Sequence, residues 1–166
     1  LAWTSALALA SGVVITMQFA DFDAKPLAGW GLAAFAVYAI GGFLALRALK
    51  DSTDAIVRVA QLGWSWTWTL VFALTLRRIA IDAHLAAGWY DALTLLPVLV
   101  AWTLALLRPA WIAPPLGARF DLCRSWLLAT QALVATIAFA NLLLHDGASA
   151  PLPFLPLLNP VELAQL

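Results

Sequence analysis

Arg77 and Arg78, followed at short range by Asp82 and His84, are the side chains of this chain with the most evident chemical capacity. Residues advance by about 100° each around a helix, so Arg77 and His84 share one face while Arg78 and Asp82 lie one turn apart on another. Guanidinium groups bind phosphate through paired N–H bonds, which makes Arg77 and Arg78 candidates for holding a phospholipid headgroup or a lipid-linked phosphate. The competing reading is structural. An Arg at a helix end reaches to lipid headgroups, and Arg78 can pair with Asp82 at i,i+4.

Asp82, His84, Asp91, His145 and Asp146 form a second set, because carboxylates and imidazoles serve general base catalysis and metal binding. His84 and His145 lie on separate loops without ligand-type spacing, and the competing reading is ordinary interfacial polarity, with Asp91 as a helix N-cap. Asp21-Phe22-Asp23 has the form of the acidic pairs used by metal-dependent sugar transferases, a pattern that chance also produces readily. Cys123 is the only cysteine, and no Cys/His cluster has zinc-like spacing, so neither a metal nor a cofactor is expected.

Trp64, Trp66 and Trp68 could offer a stacking surface for a sugar or lipid. At helical spacing Trp64 and Trp68 share a face and Trp66 opposes them, so they are not one platform. Gln131 and Asn141, inside an apolar run, predict hydrogen bonds between helices or a polar point on a transport path.

The elements that must position these groups follow from composition. Hydrophobic residues fill 64% of 166 positions and charged residues 11%, with a mean hydropathy of +0.92. A water-soluble fold is excluded, since a soluble domain carries roughly half apolar and a quarter charged residues. The apolar runs are long, unbroken and rich in Leu and Ala, as helices crossing about 30 Å of hydrocarbon require, and lack the alternation of barrel strands. The expected fold is an all-α polytopic transmembrane helix bundle, with spans near 1–20, 27–49, 55–81, 89–107 and 123–144. A proline-rich loop follows at 145–160, and Asn159-Pro160-Val161-Glu162 supplies the cap signals of a sixth helix beginning at 161–166. Leu1 stands inside an apolar run and Leu166 barely one turn into another, which suggests a fragment of a larger membrane protein.

Within this order Pro26 is expected to open the second helix at its first turn, and Gly29, Gly31, Gly41 and Gly42 to allow close helix contact. The third span has two possible registers, 55–76 and 62–81, which differ in how deeply Arg77 and Arg78 lie. Pro97 predicts a kink in the fourth, and 111–120 reads as a connecting loop.

Basic residues divide unevenly between the connections. Arg47, Lys50, Arg58, Arg108, Arg119 and Arg124 fall on one side, and Lys25, Arg77 and Arg78 on the other. The positive-inside rule assigns the first set to the cytoplasm, which puts Asp82, His84, Asp91, His145 and Asp146 outside. Net charge is +0, so nothing in the balance suggests nucleic acid; the expected partners are membrane lipids and the remaining transmembrane helices of a larger chain or other membrane subunits.

The stretch Leu152-Pro153-Phe154-Leu155-Pro156-Leu157-Leu158-Asn159-Pro160-Val161-Glu162-Leu163-Ala164-Gln165 resembles the Pro-Leu-Leu-Asn-Pro-Leu-Asp/Glu-Leu-Ala-Gln signature of a family of large bacterial membrane proteins, known as domain of unknown function twenty-three thirty-nine. Val161 departs from the Leu of that signature. The resemblance implies a very long polytopic chain in the bacterial inner membrane and brings no activity, substrate or catalytic residue.

Two functions are expected on these grounds. One is a structural or transport-like segment of an envelope protein, for which polar residues of spans three and five, such as Gln131, should face a mid-depth cavity. The other is a periplasm-facing enzyme acting on a lipid-linked glycan or other envelope polymer. It calls for an outer carboxylate or histidine beside a second polar group in a cleft.

Overall fold

The computed structural model describes residues 1–21 and 25–143. His145, Asp146, the proline-rich stretch and the expected sixth helix lie outside the described residues, as does Asp23. The described residues form helices joined by turns, with no strand among them. Five long helices, α1 (Ala2–Asp21), α2 (Trp30–Leu49), α3 (Asp54–Asp82), α4 (Ala87–Leu107) and α6 (Asp121–Leu143), are joined by short connections. The connection between α4 and α6 holds a one-turn helix α5 (Pro109–Ile112) and a 3-10 turn at Gly117–Phe120.

Helix α3 is the centre of the bundle and packs against α1, α2, α4 and α6. At 29 residues it is about 43 Å long, so it contains both registers expected for the third span in one unbroken helix. Among the described residues four helical stretches are long and apolar enough to cross a membrane: Ala2–Ala20, Trp30–Leu49, Ala87–Leu107 and Gly117–Leu142. The expectation of five such spans is met only in these four. α3 has the length but not the apolarity, because Gln61, Thr67 and Thr69 are spent on its buried faces, where neighbouring helices rather than lipid surround them.

Close approach of α1 to α3 sets the core. Gly63 of α3 lies against the backbone of Ala10, so near that a Cβ there would stand 2.5 Å from the Ala10 Cα. Around that crossing Ala6, Leu9, Leu46, Val57, Ala60, Phe120 and Leu127 are buried together. The buried hydroxyls need no distant partner: Thr16 donates to the Gly12 carbonyl at 2.7 Å and Thr67 to the Gly63 carbonyl at 2.8 Å, each one turn back. A second small cluster, Leu95, Val98 and Leu142, joins α4 to α6.

Several boundaries differ from those expected. Pro26 sits in a turn rather than at the start of α2, because Gly29 takes a positive φ of 53° and turns the chain before Trp30. α4 starts at Ala87, not at Asp91, which falls inside its first turns, and Ala86 holds the N-cap position. Residues 111–120, expected as loop, are largely helical turns, with Pro109 at the first position of α5, where its missing N–H costs nothing.

Connections on each side meet one another. Arg119, before α6, donates to the Ser52 carbonyl at 2.9 Å and also to the Lys50 carbonyl, and pairs with Asp54 at 2.5 Å. At the opposite end Lys25 Nζ lies 2.5 Å from the carboxylate of Asp82. The loops after α2 and α4 therefore share one end of the bundle, and those after α1 and α3 the other.

Candidate functional site

The groups singled out by type at the ends of α3 and α4 do not assemble into a cleft. Asp82 is held between Lys25 at 2.5 Å and Arg78 at 3.0 Å, and the bond from Lys25, more than the charge of Arg78, keeps its carboxyl below the ordinary value of 3.8. Arg77 and His84 are exposed, as is Asp91 on the first turns of α4. His84 has a backbone role of its own. With a φ of 52° it occupies the position just beyond the cap of α3, its N–H donating to the Ile81 carbonyl at 2.9 Å while Leu85 N–H reaches the Ala80 carbonyl at 3.1 Å. That pair of bonds closes the helix in a left-handed terminating turn. The described residues contain no group of three or more His, Cys, Asp or Glu able to hold a metal ion.

A different constellation runs from one end of the bundle inward to mid-depth. A cavity of about 570 Å³ lies among α3, α4 and α6, with the α5 segment closing one end and Phe43 of α2 at its edge. Such a volume falls inside the usual range for small-molecule sites. Gln61, Ser65 and Thr69 of α3, spaced at i, i+4 and i+8, share one face and line it, and α6 contributes Gln131. Thr69, Pro97 and Gln131 lie at or beside the central residues of α3, α4 and α6.

The two glutamines are 2% and 0% exposed, deep enough that their carboxamides need protein partners. Gln61 donates to the Ser65 hydroxyl at 3.2 Å, and among the described residues its Oε1 has no partner, nor do Nε2 and Oε1 of Gln131. An unsatisfied buried amide costs about 1–3 kcal/mol, against the tendency of interiors to satisfy every polar atom. Pro97, also on the wall, lacks an N–H and cannot bond to the Leu93 carbonyl one turn back, which interrupts the hydrogen-bond ladder of α4.

Aromatic rings wall the α3 side. Trp64 and Trp68 meet edge to face at 5.7 Å, and Phe72 lies 6.0 Å beyond Trp68. They are backed by Tyr38, which stacks on Trp64 at 5.4 Å, donates to the Leu9 carbonyl at 2.7 Å and lies 3.1 Å from the Thr67 hydroxyl. Trp66 points elsewhere, as helical spacing requires, and donates through Nε1 to Thr130 at 3.0 Å, tying α3 to α6 beside Gln131.

The cavity is partly open, and its edge is apolar: Phe72 is 48%, Val100 48% and Trp111 71% exposed. On the far side Arg124 donates to the carbonyls of Ala105 and Leu106, both at 2.9 Å, and satisfies the last turn of α4, where a cation is favoured by the helix dipole.

Of the residues expected to matter, Gln131 lies on this site, and so do Trp64 and Trp68 of the expected stacking surface, whereas Trp66 does not line it. Gln61, Ser65 and Thr69 were missed in the sequence; their i, i+4, i+8 spacing is the signal that could have found them, and nothing local marked the cavity they line. The fold and site thus define the class: an all-helical bundle with four helices fit to cross a membrane and a mid-depth, mostly apolar cavity holding two buried carboxamides. No protein-family model matches the chain, and no curated protein or solved structure matches it either.

Proposed function

We propose that the chain is a multi-pass segment of a bacterial inner-membrane protein with a transport-like duty, in which α3 is a fifth crossing sheltered by the other four helices and the mid-depth cavity holds a small amphipathic molecule. The observation that carries this reading is the pair Gln61 and Gln131, buried on the cavity wall with polar atoms that no group among the described residues satisfies. Polar side chains at membrane depth are costly, and where they face a cavity between helices they commonly mark a substrate path. The exposed apolar edge at Phe72 and Val100 supports access from the lipid. Location in the inner membrane draws support from the Pro-Leu-Leu-Asn-Pro-Val-Glu-Leu-Ala-Gln signature at 156–165.

Chemistry on a lipid-linked glycan has less support, since Asp82 is occupied by two cations while His84 and Asp91 stand exposed. Phosphate binding by Arg77 and Arg78 would have to release Arg78 from Asp82 or rest on Arg77 alone.

Native mass spectrometry of the protein released from mild detergent tests the proposal. The parent chain is expected to carry a small-molecule adduct that Gln131→Leu loses while keeping its helical circular dichroism. A folded parent without an adduct, or an adduct retained in full by folded Gln131→Leu and Gln61→Leu, would overturn it.

A further inference from the structure

We infer that the mid-depth cavity selects an uncharged ring lipid: a planar ring carrying carbonyl or hydroxyl groups, with an apolar tail that leaves through the Phe72–Val100 edge. The inference rests on the reading of that cavity as a ligand site and names the class of ligand.

Charge is decided by the wall. None of the described residues lining the cavity is charged, so among them an anionic headgroup or a cationic amine would be left without a counter-ion, an arrangement that low-dielectric surroundings penalise heavily. The basic residues at the two ends of the bundle do not line it. A phospholipid head or a lipid phosphate is therefore a poor occupant.

Polar complementarity is decided by the two carboxamides. Gln131 offers two N–H donors and one acceptor, and Gln61 an acceptor, all unpartnered among the described residues. A carboxamide bonds a carbonyl through its N–H and a hydroxyl through its oxygen, so a ring bearing either substituent is satisfied by the same pair. A pure hydrocarbon would leave them as they are.

Shape is decided by the aromatic wall and the opening. Trp64, Trp68 and Phe72 provide successive ring contacts along one side, which favour a flat partner over a branched glycerol backbone. The opening is edged by Phe72, Leu96, Val100 and Trp111, all exposed and apolar, so a tail passing between them stays among apolar groups.

The test is saturable thermal stabilisation of the full chain in neutral detergent by three probes of matched tail length: decylubiquinone (neutral ring), didecanoylglycerol (neutral, no ring) and decyl phosphate (anionic). Decylubiquinone is expected to raise the unfolding midpoint saturably, with at least tenfold weaker apparent affinity in Gln131→Leu and in Val100→Trp, which fills the opening, and with little response to the other two. Equal stabilisation by didecanoylglycerol, lost in the same variants, would overturn the ring and leave the cavity as a ligand site. Equal stabilisation by decyl phosphate would overturn neutrality. Decylubiquinone stabilisation that folded variants retain unchanged would overturn the placement in this cavity, and no stabilisation by decylubiquinone would overturn the ring lipid outright. The adduct seen by native mass spectrometry then reports separately whether the cavity holds another molecule. Should Gln131→Leu fail to fold, Val100→Trp carries the comparison, because that position is exposed in the parent.

Discussion

Arg119 and Asp54 stand sixty-five residues apart in the chain and 2.5 Å apart in the fold. The same guanidinium reaches the carbonyls of Lys50 and Ser52, so one side chain fastens the approach to α6 onto the turn between α2 and α3. The fork geometry, not charge alone, makes this possible. Arg119→Ala is expected to lower stability by about 1–2 kcal/mol, mostly through the lost carbonyl bonds, since Asp54 is 55% exposed and exposed pairs contribute little. Asp54→Asn should cost no more than about 0.5 kcal/mol. Unfolding by sodium dodecyl sulfate in maltoside micelles, followed by circular dichroism, measures both; equal losses would contradict the assignment.

Two glycines separate packing from composition. At Gly63 a Cβ would meet the Ala10 backbone at 2.5 and 2.8 Å, and backbone cannot turn aside, so Gly63→Ala is expected to push α1 from α3 at about 1–3 kcal/mol. At Gly41 nothing lies within 4 Å, and Gly41→Ala should be neutral or stabilising by up to about 1 kcal/mol through helix propensity. The same detergent titration ranks them.

Asp82 gives the bundle a pH dependence of definite sign. Its carboxyl is held below the ordinary value of 3.8 by Lys25 first and Arg78 second, so the folded state favours the ionised form. The resulting stability is fully present above the ordinary value and is lost as pH falls through the lowered one. Unfolding measured from pH 6 down to about 2 should show Asp82→Asn less sensitive than the parent in that acid window, and Lys25→Met shifted toward the ordinary carboxylate. Parallel curves for all three chains would contradict the pairing.

His84 holds a left-handed backbone that glycine adopts without penalty. Because its side chain is exposed, His84→Gly is expected to gain about 1 kcal/mol in the terminating turn of α3. A loss of that size in thermal unfolding would instead mean that the imidazole makes a contact worth keeping.

Sidedness is open to labelling. Cys123 is fully buried, so the native thiol should resist an impermeant maleimide. Cysteines placed at Asp51 and Ala118 should react from one face of the membrane, and those at Ala28 and Ala87 from the other. In intact cells the positive-inside rule expects the second pair to label. Reaction of Asp51→Cys and Ala118→Cys from opposite faces would break the bundle as described.

Much of the architecture is readable locally. Helix type and approximate length follow from the unbroken apolar runs, the pairing of Arg78 with Asp82 from i,i+4 spacing, and the divergence of Trp66 from Trp64 and Trp68 from the helical repeat. Starts were less legible. Pro26 and Asp91 carry good helix-opening signals, yet the positive φ at Gly29 delays α2 and the turn after α3 admits α4 already at Ala87. Lys25, the strongest partner of Asp82, lies across a connection where no spacing rule operates.

What the sequence alone determined is the medium and the secondary structure: with 64% hydrophobic residues in long runs, backbone polar groups must be satisfied within each segment, and that requirement is local. What only the tertiary structure decided is which polar residues come together. Gln61 and Gln131 sit on helices separated by the whole of α4, and their unpartnered carboxamides line one cavity because α3, α4 and α6 meet there. Helical periodicity gives a side chain its face; only the packing of remote helices gives that face something to enclose.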